Sequence, residues 1–84
     1  MDQITRLISL IERYCEVTGI AEATLSSRVF RDGKRVSAIR AGSDVGVRRM
    51  SMAVQWFSDN WPGSADWPDG VPRPEPIMAK EAAE

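Results

Sequence analysis

The 84-residue chain has no histidine and a single cysteine, Cys15. Without histidine, a Ser-His or Cys-His nucleophile is excluded in its usual forms. A lone cysteine cannot form an internal disulfide, which suits a reducing compartment. With no Cys or His partner for Cys15, a zinc site is not expected either. Cys15 lies on an apolar helical stripe and reads as a small buried filler. Glycines 42, 46 and 63 do not make the GxxxxGK[ST] spacing of a phosphate loop. Long apolar runs are also missing, and nothing approaches the roughly 20 residues of a membrane span. The first ten residues, MDQITRLISL, place Asp2 before Arg6 and lack a small-residue cleavage site, so they do not read as a signal peptide. These absences point to a cytoplasmic, non-enzymatic protein that needs no cofactor. Glu12 and Glu16, one helical turn apart, read as a solvated face rather than an acid–base pair.

Charge is present in quantity but unevenly placed. The net charge of −1 conceals a basic middle. Residues 28–57 hold seven Arg or Lys against two Asp, a net +5, whereas residues 58–84 hold two basic against six acidic residues, a net −4. Because salt screens charge over about 10 Å, a polyanion would feel the basic middle and not the average.

Hydrophobic spacing predicts four helices. Ile4, Leu7, Ile8, Ile11, Tyr14 and Cys15 recur three and four apart and define a first helix from about Gln3 to Thr18, with Asp2 as its cap and Gly19 as its stop. A second helix runs from about Glu22 to Phe30. Ala21, Leu25 and Val29 face inward there, while Ala23, Thr24, Ser27, Arg28 and Arg31 turn outward with Ser26 at the flank. Asp32-Gly33 ends it with a turn signal. A short third helix follows from about Lys34 to Ala41, with Val36 and Ile39 inside. Ser43 or Asp44 then caps a fourth helix from about Val45 to Asn60. Val47, Met50, Val54, Phe57 and Trp61 form a seam on it, and Met52, Ala53 and Trp56 add a second apolar flank. All five prolines lie at or after Pro62. The reading is an all-α, compact four-helix domain over residues 1–62, followed at 63–84 by a loop that docks through Trp67 and an acidic, Pro-rich tail disordered from about Pro72. A fraying helical turn is expected in the final AKEAAE.

The stretch from Tyr14 to Arg31, YCEVTGIAEATLSSRVFR, has the outline of a helix-turn-helix. Cys15 supplies a small residue where the helices cross, four before Gly19. Ile20 sits under the turn, and Leu25 and Val29 anchor the second helix. Thr24, Ser26 and Ser27 are short hydroxyl side chains that allow close approach to double-stranded DNA, and Arg28 and Arg31 reach guanine edges or phosphates. Lys34 and Arg35 hold the backbone. A second register also fits, with Glu22 to Phe30 supporting and Lys34, Arg35, Ser37 and Arg40 facing the groove from the third helix. The apolar excess at Met52, Trp56, Phe57 and Trp61 marks a dimer or partner interface, and a core this small gains from homodimerisation. Two rival functions fit the same residues: a protein-interaction module such as an anti-activator, and an excisionase-like architectural protein that bends DNA.

TGIAEATLSSRVFRDGKRVSAIRAG, followed by a helix ending in WFSDNWP, resembles the small helix-turn-helix proteins of proteobacterial prophages and integrative elements, which are similar to the lambda-repressor/Cro group of transcriptional regulators. The likeness covers about residues 5–62. It implies a compact helical domain, often dimeric, that binds operators near its own promoter or near excision genes. The DNA-facing positions it implies are Glu22, Thr24, Ser26, Ser27 and Arg28. The family often has Ser or Thr where this chain has Ala21, which weakens one expected backbone contact.

Overall fold

Helix formation begins where the capping residues place it. In the computed structural model, which describes residues 2–63 and 65–76, α1 spans Gln3–Thr18. Asp2 Oδ1 accepts the Thr5 N–H at 2.7 Å, so one orphan donor of the first turn is satisfied and a negative charge sits at the positive helix end. Gly19 closes α1 in the left-handed region at φ 78°, and its N–H donates to the Cys15 carbonyl at 2.8 Å. Three residues later α2 begins and runs Glu22–Phe30. Ala21 caps it without a side-chain bond, as its methyl must. The third helix, α3, is only six residues long, Arg35–Arg40, and α4 spans Val47–Asn60. Among the described residues every regular element is an α-helix, and none is long and apolar enough to cross a membrane.

The core is built from α1 and α4 outward. Leu7, Leu10, Ile11 and Tyr14 of α1 meet Met50, Ala53 and Phe57 of α4, with Leu25 of α2 and Val36 and Ile39 of α3 closing the cluster. Aromatic rings fill one end. The Tyr14 centroid lies 5.5 Å from Trp56, 5.8 Å from Phe57 and 6.0 Å from Trp61 in tilted or edge-to-face arrangements. Fully burying one such side chain stabilises by about 1.5–3 kcal/mol.

Three local expectations differ from what forms. Neither Ser43 nor Asp44 caps α4: Gly46 does, with no side-chain bond. The Ser43 N–H is already donated to the Ala38 carbonyl at 3.0 Å, so this residue finishes α3 instead of starting α4. Val47 is 83% exposed and lies outside the buried stripe, which is Met50, Ala53, Phe57 and Trp61. Ala21 is exposed as well, leaving Leu25 as the buried anchor of α2 and Val29 half-buried.

The chain beyond Pro62 packs further than its proline content suggests. Trp67 docks as expected, its ring 4.9 Å from that of Trp61 and its Nε1–H donated to the Val71 carbonyl at 2.7 Å. Val71 joins the core. Residues 72–76 then run beside α4, contrary to the disorder expected from Pro72. Arg73 stacks over Trp67 at 5.1 Å and donates through Nη2 to the Ser58 carbonyl at 3.0 Å. The buried Ser58 hydroxyl donates to the Pro74 carbonyl, and Gln55 Nε2 donates to the Glu75 carbonyl at 2.9 Å. Prolines lack only the N–H; their carbonyls still accept, and α4 supplies the donors. The compact unit therefore extends past the boundary at 62. The AKEAAE turn lies outside the described residues.

Candidate nucleic-acid interface

The α2 helix is short, so its orientation depends on what grips its inner side. Leu25 and Ser26 are its buried residues. Ser26 is 0% exposed, and its hydroxyl makes two bonds: Oγ donates to the Asp32 carbonyl at 2.5 Å and accepts the Val36 N–H at 3.1 Å. Val36 is the second residue of α3, whose own cap, Lys34, contributes no side-chain bond. Ser26 thus caps α3 from ten residues upstream and ties the two helices together. This corrects the placement of Ser26 on the DNA-facing surface. A nine-residue helix flanked by partners on more than one side buries a wider arc than apolar spacing alone reveals.

Glu22 is corrected in a similar way. Arg40 donates to both its carboxylate oxygens, Nε to Oε1 at 3.0 Å and Nη2 to Oε2 at 2.5 Å, and Nη2 also reaches Glu12 Oε2 at 3.3 Å. The Glu22 carboxylate is engaged by this clasp of α1, α2 and α3 and is not a free group on the outer face. The clasp holds the Arg40 pKa above its ordinary value, chiefly through the hydrogen bond to Glu22. Close by, the Cys15 thiol is pushed up, first by burial and then by Glu22, with Arg40 opposing. Of the second register's residues, Arg40 is engaged in this clasp, and α3, which carries Arg35, Ser37 and Arg40, has under two turns.

The outer side of α2 keeps the other predicted groups. Thr24, Ser27, Arg28 and Arg31 are exposed, as is Lys34 in the following turn. Arg35 is half-buried, its guanidinium 3.7 Å from Asp32. Arg31 occupies the left-handed region at φ 59°, ψ 29°, as the residue that ends α2. A glycine would take that conformation without steric cost, so the arginine side chain is present at the expense of local backbone strain. The turn that follows uses Asp32, whose Oδ1 accepts the Lys34 N–H at 2.9 Å.

Tertiary structure adds two basic residues to this side. Arg48 and Arg49, at the start of α4, line a cleft of 660 Å³ together with Arg28, Val29, Phe30 and Arg31 of α2, and with Met52 and Trp56 beneath. Among the described residues none of these four arginines has a carboxylate within ion-pair distance. In the sequence Arg48 and Arg49 belong to a helix read mainly for its apolar seam. Their relation to Met52 and Trp56, one and two turns on, is the signal that marks them as one surface stripe. Of the four predicted interface residues, Met52 is 65% exposed and Trp56 half-buried, but Phe57 and Trp61 are core side chains of the single chain. Phe57 and Trp61 are therefore corrected from interface to core: the aromatic cluster with Tyr14 and Trp67 consumes them.

No protein-family model matches the chain, and neither does any curated protein or solved structure.

Proposed function

We propose that the protein is a sequence-specific DNA-binding transcriptional regulator of a phage or mobile element. In this reading α1 supports and α2 enters the major groove, with Thr24, Ser27 and Arg28 at the base edges and Arg31 and Lys34 on phosphates. A homodimer would match an inverted-repeat operator with half-sites about one helical turn apart. One observation carries the reading: the outer side of α2 presents exposed Thr24, Ser27, Arg28 and Arg31, while its inner side is held by the buried Leu25 and Ser26. Short hydroxyls flanked by long cations on a helix so anchored suit groove entry, because close backbone approach and charge neutralisation are both needed.

The test is binding to DNA from upstream of the protein's own gene and to scrambled DNA of equal length, across a salt series. Tight binding to the first alone, weakening steeply with salt, is expected. Arg28→Ala is expected to weaken specific binding by about 1–3 kcal/mol. Absence of binding to either DNA at low salt would overturn the proposal.

A further inference from the structure

The cleft between α2 and α4 is more than a continuation of a basic surface. Four arginines surround it: Arg28 and Arg31 from one helix, Arg48 and Arg49 from the other. Part of its lining is apolar: Met52 is 65% exposed, and Trp56 is half-buried. A bare phosphate backbone would satisfy the arginines but offers nothing to cover the Met and Trp. A ligand that matches the whole cleft carries both an apolar group and acidic groups on either side of it. Arginine is suited to the acidic part, since its planar fork pairs carboxylates through two parallel bonds. Met and Trp are suited to the apolar part, because thioether and indole surfaces adapt to varied side chains and anchor protein contacts. The 660 Å³ volume falls in the range of clefts that take drug-sized ligands, room for a large side chain together with its neighbours.

We infer that this cleft receives an acidic amphipathic segment of a partner protein, a short stretch in which a large apolar side chain sits between Asp or Glu residues. The docking stands on the cleft alone. Its consequence rests on the DNA reading: because Arg28 and Arg31 would serve both ligands, partner and operator exclude each other, and the partner acts as an anti-regulator.

The experiment uses the full chain and a fluorescently labelled peptide with Trp and Leu four residues apart, flanked by Asp and Glu. A control peptide carries Ser in place of Trp and Leu. Anisotropy titrations are made with the wild type, with the double variant Arg48→Glu, Arg49→Glu, and with Met52→Glu. All three positions are exposed, so folding is preserved, and circular dichroism checks it. The apolar acidic peptide is expected to bind the wild type, and to lose about tenfold or more in affinity with either variant. The Ser peptide is expected to bind as weakly as the variants do. Equal binding of both peptides would overturn the inference in favour of simple polyanion attraction, and no binding of the apolar peptide at about 1 mM would overturn it outright. Sedimentation supplies one more decisive outcome: if Met52→Glu turns a wild-type dimer into a monomer, the face belongs to a second copy and the inference fails. Operator binding by Met52→Glu, measured in parallel, keeps the two proposals separate. A protein that binds the peptide but no DNA retains the docking site and loses the regulator reading.

Discussion

Replacing Ser26 with Ala removes one oxygen atom, and the structure sets the cost. The side chain is 0% exposed, so no solvent takes its place. Two backbone groups lose a partner. The Asp32 carbonyl, which accepts from Ser26 at 2.5 Å, also accepts the Arg35 N–H at 3.2 Å and keeps that bond, so its share of the loss is small. The Val36 N–H is different: it lies in the first turn of α3, where no carbonyl of the same helix can reach it, and Ser26 Oγ is its buried acceptor at 3.1 Å. An unsatisfied buried N–H costs about 1–3 kcal/mol, and the lost carbonyl bond adds a fraction of that, so Ser26→Ala is expected to destabilise by about 2–3 kcal/mol. For a domain of this size the total is on the order of 5–10 kcal/mol, so the loss is large. Urea unfolding followed by tryptophan fluorescence measures it, with the shift read from the midpoint at constant slope. A change below about 0.5 kcal/mol would refute the capping role, being no more than an ordinary surface substitution produces. Stability unchanged but operator binding reduced would return Ser26 to the outer side of α2.

Arg31→Gly is expected to move two measurements in opposite directions. Relief of the left-handed conformation stabilises the fold by about 1 kcal/mol in the same urea assay, while loss of the guanidinium from its phosphate weakens binding about equally across DNA sequences and lowers the salt slope by about 1. Asp2→Asn tests the first cap through its pH dependence. The hydrogen bonds from Thr5 hold the Asp2 carboxyl below its ordinary 3.8, so the folded state binds that proton less readily than the unfolded state. The stabilisation is therefore complete above 3.8 and is lost as pH falls through the lowered value, and the advantage of wild type over Asp2→Asn should shrink in that acid range. A difference that stays constant with pH would contradict it. Arg73→Ala removes the stack on Trp67 and the bonds to Ser58, and is expected to destabilise by about 1–2 kcal/mol because the side chain is partly solvated. It should also release residues 72–76 to early proteolysis, which limited digestion would detect.

Much of this protein is legible from local chemistry. Helix α1 can be read from its spacing, its Asp2 cap and its Gly19 stop, because each acts within a few residues along the chain. The limits of α2 follow from the same kind of signal, and so does the exposure of Thr24, Ser27, Arg28 and Arg31. What escapes are the residues whose role depends on a distant partner. Ser26 looks like a surface hydroxyl until α3 folds back and presents the Val36 N–H. Glu22 looks like a free acidic group until Arg40, 18 residues on, closes over it. Phe57 and Trp61 resemble part of an interface seam until Tyr14 and Trp67 surround them, and residues 72–76 read as a loose tail until Ser58 and Gln55 bond to their carbonyls. Helical periodicity reports which residues share a side of one helix, but how much of that side is covered depends on how many neighbours pack against it. The four helices and the basic middle were thus determined by sequence. The arginine cleft, the α1–α2–α3 clasp and the burial of Ser26 against α3 were decided by tertiary structure, because each is made of side chains brought together from separate elements.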